Sequence, residues 1–544
     1  MRPARLRTLL ELLDERRALT PQQAAFYWDD QPFSFEGLWQ GANRFAALLL
    51  ELGVSRDDRV LIRLGNGPEF FDAFYGVLRA GAIAVPLFPA SGPERIAALA
   101  QRCGAKVMVD RGRESFAVSA SAGSTGSASA STQKLQTTPD PELRIISVAD
   151  SANCQAPASF PAVAEDDVAF LQYTSGSTGS PKGVMLSHHG LLTNITQLID
   201  GMTLTSSDVF VSWLPVFHDM GLIFMTMVPF YLGAKLVLLP TSLANARPWL
   251  SAIARHRGTV TAAPDFAYRL ALRHTREPGA YDLSSLRVAL DAAEPVRLGT
   301  LEAFERAFGL RHVLIAGYGL AEATVGVSTL TPGTAPLVDA RGVISVGRPF
   351  CDIDIRIIAD GEPLPAGAVG EIVIHSPANT RGYFRDEAET ARLFWRDGYI
   401  RTGDLGYLDE AGQLFVTGRL KNIIKHAGAT IFPQEPEQIT DGLAAVRRSA
   451  AVGIDSGGSE GEQLYVFAEL SKPGSYTENE FQETAVDVVQ AIHAQLGIRP
   501  GRVYLLRPHS IPLTANGKTQ HAALRDLYLS GNLRAQQAIL FPGY

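Results

Sequence analysis

Residues 173–183 read Tyr-Thr-Ser-Gly-Ser-Thr-Gly-Ser-Pro-Lys-Gly. Glycines 176, 179 and 183 let the backbone approach a ligand closely. Ser and Thr hydroxyls and exposed amides can hydrogen-bond phosphate oxygens, and Lys182 adds a mobile positive charge. Lys182 follows a proline and precedes a glycine, so this is not Walker A spacing. The apolar run Val168–Gln172 just before the loop reads as a strand. In open α/β sheets, ligands sit beyond the carboxyl ends of strands.

Outward from that loop, strand-like and helix-like patterns alternate. Upstream, Phe45–Leu52 and Glu69–Ala80 read as helices, and Arg59–Leu64 and Ile83–Leu87 as strands. Downstream, Asp219–Leu232, Pro248–His256, Asp265–His274 and Leu298–Phe308 read as helices. Asp208–Leu214, Lys235–Leu239, Thr259–Ala262, Leu286–Leu290 and His312–Ala316 read as the strands around them. Repeated βα alternation predicts an α/β chain whose mainly parallel sheet is covered by helices. Residues 350–418 change to short strands between Gly and Pro turns, a β-rich subdomain. A smaller α+β unit follows, with strands at Ala450–Ile454 and Gln463–Leu470 and a helix at Asn479–Leu496. The main boundary is expected near 418–422. Ser119–Gln133 is a Ser/Ala/Gly tract without large apolar groups and reads as a flexible surface insertion.

Composition narrows the classes. The chain has 544 residues, 46% of them hydrophobic and 19% charged, which supports buried cores and argues against disorder. Lys+Arg 49 against Asp+Glu 56 gives 49 − 56 = −7, with no long basic run, so nucleic acid is not an expected partner. Cys103, Cys154 and Cys351 are far apart and match no zinc or disulfide spacing, which fits a reduced, cytoplasmic setting. The N-terminus reads as an amphipathic helix. The apolar stretch Leu222–Leu232 is broken by Pro229 and is too short to span a bilayer, so no integral membrane segment is expected.

Five motifs in order resemble those of the adenylate-forming superfamily, which includes acyl-CoA synthetases, luciferases and adenylation domains. They are the 173–183 loop, Tyr318–Thr324 (YGLAEAT), Tyr399–Asp404 (YIRTGD), Gly418–Lys425 (GRLKNIIK) and Pro512–Lys518 (PLTANGK). Between them, Leu214–Leu222 (LPVFHDMGL), Pro264–Leu270 (PDFAYRL) and Asp291–Arg297 (DAAEPVR) resemble the fatty acyl-AMP ligase branch. Members of that branch activate fatty acids with ATP and Mg²⁺ and commonly hand them to an acyl carrier protein. They often carry an insertion before the RTGD segment. Here Glu389–Asp404 reads ETARLFWRDGYIRTGD, with almost no spare chain, and CoA stays open as the thiol acceptor.

The resemblance implies a role for each matching residue. An N-terminal adenylation domain, 1–420, would bind ATP and acyl chain, and a mobile C-terminal lid, 421–544, would carry the catalytic lysine, Lys518. Thr174 and Glu322 would serve catalysis and Mg²⁺. Thr174, Ser175, Gly176, Ser177, Thr178, Gly179 and Lys182 would hold the phosphates. Ala293, Glu294, Pro295, Tyr318 and Gly319 would flank adenine, with Asp404 and Arg419 at the ribose. His218 would gate the substrate, and Met220, Phe224 and Phe266 would line an apolar acyl site. Lys421 would be the hinge, and Lys425 matches a lysine proposed for the second half-reaction. The expected activity is conversion of a medium- or long-chain fatty acid to acyl-AMP, then transfer to a carrier-protein phosphopantetheine thiol. Transfer to CoA is the nearest alternative. A pseudo-ligase that only binds nucleotide or acyl chains would be expected to have lost Lys518, Glu322 or Asp404, and all three are present.

Overall fold

The first described helix, Leu9–Leu19, starts at Thr8, whose Oγ1 accepts the Glu11 N–H at 3.1 Å. Leu9, Leu10, Leu12 and Leu13 are buried, so the apolar stripe read from the sequence packs inward. The computed structural model describes residues 6–111, 143–174, 181–241, 245–426, 429–455, 462–472, 476–514, 518–535 and 539–541. The Ser119–Gln133 tract and loop residues 175–180 lie outside the described residues. By internal contacts the chain divides into two units. The first holds Met1–Val338, Ile344–Ile355 and Val373–Thr402; the second holds Asp339–Val343, Arg356–Ile372 and the chain from Gly403 onward.

Two sheets build the first unit. One has six strands in the order Arg144–Ile146, Val107–Val109, Arg59–Ile62, Ile83–Pro86, Val168–Thr174, Lys182–Ser187. Its neighbours are parallel except the last pair, which is antiparallel. The other has nine strands. Its six central strands, Leu314–Tyr318, Val288–Asp291, Val260–Ala263, Val209–Ser212, Lys235–Leu238 and Ala24–Trp28, are all parallel. Antiparallel strands close both ends. The α/β class predicted from βα alternation is therefore what forms, and most strands shift by one to three residues from their sequence-based limits.

One expected helix differs in kind. Asp219–Leu232 is not a single α-helix: Met220–Met227 is wound as a π-helix and Val228–Leu232 continues as α. Pro229 has no amide to give an α ladder. The Thr226 hydroxyl bonds the Gly221 carbonyl at 2.8 Å, five residues back. A Cβ on Gly221 would lie 2.1 Å from the Pro215 carbonyl oxygen, so only glycine fits there.

In the second unit, strand Leu414–Arg419 pairs antiparallel with the end of Ile400–Leu408, and Ile358 and Ala359 pair with Pro363 and Glu362. A four-stranded sheet follows in the order Val446–Asp455, Glu462–Leu470, Arg502–Leu506, Ile539–Phe541. Strand alternation buries both of its faces. Val466 and Ala468 pack with Val488 and Ile492 of helix Glu478–Leu496, while Tyr465 and Phe467 pack with Tyr504 and Leu524. That long helix begins in a capping box between Thr477 and Glu480.

Candidate active site

The hairpin register places Thr174 opposite Lys182, at the two ends of the Gly/Ser/Thr loop. Ser175, Gly176, Ser177, Thr178 and Gly179 lie outside the described residues. Strand Lys182–Ser187 is the outer strand of its sheet, and a distant segment covers its free edge. Met185 N–H donates to the Gly382 carbonyl at 3.1 Å and Phe384 N–H to the Gly183 carbonyl at 2.8 Å, a bridge of Val184 to Tyr383. Tyr383 and Glu389 thereby come up against Lys182. The Lys182 ammonium is ion-paired with Glu389 Oε2 and lies 4.8 Å from the centroid of the Tyr383 ring.

Glu322 reaches the same place from the other sheet. Strand Leu314–Tyr318 ends and the chain turns at once through Ala321–Ala323. Gly319 is required: a Cβ there would sit 1.7 Å from the Val325 carbonyl oxygen. Thr324 Oγ1 donates to the Ala378 carbonyl at 2.6 Å, and Thr380 N–H donates to the Glu322 carbonyl at 2.7 Å. The Tyr383 hydroxyl then donates to Glu322 Oε1 at 2.9 Å. Burial first, then the Glu322 charge, pushes the Tyr383 phenol far above its ordinary value, so it stays a donor. A cation, a phenol and a carboxylate thus form one chain from Lys182 to Glu322.

Three neighbouring parallel strands bring the remaining candidates of this unit to a common end. Ala263 pairs with Asp291 and Asp291 with Ala316, so residues 264–266, 291–297 and 318–324 all leave the sheet together. Ala293 has φ 73°, in the left-handed region that β-carbon residues rarely adopt. The Glu294 carboxylate accepts the Phe266 N–H at 2.5 Å, which ties the segment holding Pro295 to the start of helix Asp265–His274. Beneath it, fully buried Asp265 is ion-paired at 2.8 Å with Arg269 and with Arg297. Asp291 is also fully buried, and among the described residues neither of its carboxyl oxygens has a hydrogen-bond partner. Burial, then Asp265 and Glu294, raises its pKa well above the usual carboxylate range, which favours the protonated form.

The acyl candidates are mostly core. Met220 and Phe224 are buried in the π-helix, with Phe224 edge-on to Phe210, and Phe266 is half-buried. His218 Nδ1 lies 2.6 Å from Asp219 Oδ1. The Gln172 amide donates to the Phe217 carbonyl at 3.2 Å, joining this segment to the loop's first strand. A cavity of about 290 Å³ lies elsewhere, lined by Trp28, Gly67, Phe70 and Arg111 among others; no acyl candidate lines it.

In the second unit, Asp404 and Arg419 face each other across the antiparallel ladder, with Arg419 Nε 2.7 Å from Asp404 Oδ1. Lys421 is exposed in the turn Leu420–Asn422, and Lys425 lies in strand Ile424–His426, its side chain outside the described part. Lys518 is bracketed by its backbone: its N–H donates to Thr514 Oγ1 at 3.1 Å, and Thr514 N–H donates to the Lys518 carbonyl at 2.8 Å. Three residues on, His521 pairs with buried Glu437 at 2.6 Å.

The residues missed from sequence are Tyr383 and Glu389. Both sit in Arg381–Thr390, RGYFRDEAET, of which only Glu389 and Thr390 enter the sequence reading, as the start of the ETARLFWRDGYIRTGD segment. Their contact with Lys182 spans about 200 positions, which no local pattern reports.

Residues 13–384 match the model of a family described as AMP-binding enzyme. A 4-hydroxyphenylalkanoate adenylyltransferase of Mycobacterium tuberculosis is 31% identical, over 96% of this chain and 92% of its own. The medium-chain-fatty-acid–[acyl-carrier-protein] ligase JamA of Moorena producens is 30% identical, over 98% and 96%. Among solved structures, one from work on fatty acyl-adenylate ligases of E. coli and L. pneumophila has a TM-score of 0.84 at 28% identity, covering 98% of this chain and 99% of that one. Among the described residues no helix is long and apolar enough to cross a membrane. The chain belongs to the AMP-binding enzyme family, the adenylate-forming, AMP-producing ligases, and within it resembles the fatty acyl-AMP ligases.

Proposed function

We propose that this enzyme, working in the cytoplasm, converts a medium- or long-chain fatty acid and ATP to acyl-AMP and pyrophosphate. It then passes the acyl group to the phosphopantetheine thiol of an acyl carrier protein. The observation that carries the reading is the linked cluster of Lys182, Tyr383 and Glu322 beside Thr174, at the base of a Gly/Ser/Thr hairpin loop. The similarity to JamA, a medium-chain-fatty-acid–[acyl-carrier-protein] ligase, supports both the fatty substrate and the carrier protein.

A fatty carboxylate must attack the α-phosphorus of ATP while pyrophosphate leaves, so two anions meet and charge must be neutralised where it builds up. Lys182, Thr174 and residues 175–179 would hold the phosphates. Lys518 would bring a second cation to the reacting carboxylate. Asp404, with Arg419 beside it, suits the paired ribose hydroxyls. Ala293, Glu294, Pro295, Tyr318 and Gly319 would flank adenine. His218, Met220, Phe224 and Phe266 would face the acyl chain. Lys421 would serve as the pivot between an adenylation domain ending at 420 and the lid from 421, with Lys425 serving the second half-reaction.

Glu322 suits Mg²⁺. It offers a hard oxygen ligand whose carboxylate Tyr383 orients. Among the described residues no group of three or more His, Cys, Asp or Glu could hold a metal by itself, which fits an ion ligated mainly by phosphates. When bound, that ion would supply neutralising charge at the phosphates.

A second reading, transfer to CoA, is favoured by one observation. Helix Glu387–Leu393 passes into strand Ile400–Leu408 through the tight turn Arg396–Gly398, closed by a bridge between Phe394 and Ile400. No inserted segment stands there to hinder a lid.

The test is product analysis with ATP, a panel of fatty acids, and either CoA or holo-carrier protein. Acyl-AMP should form only with a fatty acid present and should be discharged onto the carrier protein. Efficient acyl-CoA formation without carrier protein would overturn the acceptor, and the lack of pyrophosphate exchange with every acid would overturn the enzyme. Lys518→Ala should lower adenylate formation by about 10²–10³ while ATP still binds.

A further inference from the structure

Lys182 is not presented to a phosphate as a bare cation. Its side chain is only 12% exposed, its ammonium is ion-paired with Glu389, and the Tyr383 ring covers another side. Glu389 is itself fixed. The Asp386 carboxylate accepts its backbone N–H at 3.2 Å at the start of helix Glu387–Leu393, and Arg392 bonds its second carboxylate oxygen. The pairing with Lys182, outweighing partial burial and helped by Arg392, lowers the Glu389 pKa, so the carboxylate is charged at neutral pH. A polyphosphate reaching for Lys182 therefore meets a carboxylate already in place, and the two anions cannot share the ammonium without repelling each other.

We propose that Glu389 is a displaceable counter-ion, holding Lys182 until nucleotide phosphates or pyrophosphate take its place. This rests on the adenylating function proposed above and adds a positioning residue to it, since Glu389 touches no reacting atom. Apparent phosphate affinity is then multiplied by the fraction of molecules in which Lys182 is released, so it is weakened by that factor. The same exchange favours loss of pyrophosphate after the first half-reaction, because Lys182 has a carboxylate to return to.

Binding of inorganic pyrophosphate to the full-length chain, by calorimetry, tests this. Glu389→Gln should bind it about tenfold more tightly than wild type, as expected if about a tenth of the wild-type molecules have Lys182 free. Glu387→Gln, which removes an exposed charge two residues away, should change binding by less than about twofold. Glu389→Asp, which keeps the charge on a shorter arm, should fall between wild type and Glu389→Gln. In pyrophosphate exchange, KM for pyrophosphate should fall more than kcat. Equal or weaker binding by Glu389→Gln, in a variant that melts as wild type does, would overturn the inference while leaving the adenylating function intact. Wild-type protein that bound neither ATP nor pyrophosphate would overturn both.

Discussion

Asp265 and Asp291 lie at neighbouring strand ends, both with no solvent exposure, but Asp265 is ion-paired with two arginines while burial raises the pKa of Asp291. Replacing each by Asn separates the two. Asp265→Asn removes the negative partner of both Arg269 and Arg297, each paired at 2.8 Å and only 20% and 18% exposed. Stranding buried guanidinium groups costs about 3–5 kcal/mol. Asp291→Asn replaces a neutral carboxylic acid by a neutral amide of the same shape, and near pH 5 the change should stay within about 1 kcal/mol. The pH dependence carries the sign. Burial, then Asp265 and Glu294, raises the Asp291 pKa in the folded chain, against about 3.9 when unfolded. Between those values the folded state holds one proton more than the unfolded state. Stability is therefore full below about pH 4 and is lost as pH rises, by up to about 1.4 kcal/mol per pH unit. Asp291→Asn removes that loss, so the variant should gain on wild type as pH rises from about 4 toward the raised value of the folded chain. Urea unfolding across that range, followed by tryptophan fluorescence, measures it. A variant as damaged as Asp265→Asn, or a gap to wild type that does not move with pH, would refute the neutral-acid assignment.

Tyr383→Phe keeps the ring beside Lys182 but removes the donor to Glu322 Oε1. Hydrogen bonds to charged groups contribute about 1.5–3 kcal/mol, so pyrophosphate exchange should slow about 10- to 100-fold, with pyrophosphate affinity nearly unchanged. Unchanged exchange would exclude a role for the hydroxyl. His521 gives a second pH dependence: burial lowers its pKa, but the buried Glu437 charge outweighs this and Lys421, so the net shift is upward. Its stabilising pair is complete below about pH 6.5 and is lost as pH rises through the raised value. His521→Gln should flatten the decline in melting temperature above neutral pH, and a variant that declines as steeply as wild type would exclude the pair as its cause.

The parallel architecture was legible because buried strands and amphipathic helices write their periods directly into the chain, as at Asp265–His274 and Leu298–Phe308, where both ends coincide with the structure, and at the strand Lys235–Leu238, read one residue longer. The π-helix at Met220–Met227 was not, because nearly every residue there is apolar and no stripe distinguishes one helical pitch from another. At the candidate site, Thr174, Lys182 and Glu322 announce themselves through local residue order. Their geometry does not: Tyr383 reaches Glu322 and Lys182 only because backbone bonds dock residues 382–384 onto a strand far earlier in the chain. Asp291 illustrates a different gap, since sequence gives a carboxyl group but not the burial, nor the neighbouring Asp265 and Glu294, that raise its pKa.

That docked segment also sets a timetable for synthesis. Strand Lys182–Ser187 ends its sheet, and the backbone groups on its outer side wait for residues 382–384, whose Tyr383 lies 199 positions after Val184. At about 5–20 residues per second, a ribosome needs about 10–40 s to deliver them. Throughout that interval the nascent chain carries an uncovered strand edge, the kind of surface on which chains pair with the wrong partner. The enzyme is therefore expected to depend on chaperones most during translation of its middle third, and synonymous codons that slow that stretch should lower soluble yield without altering the finished protein.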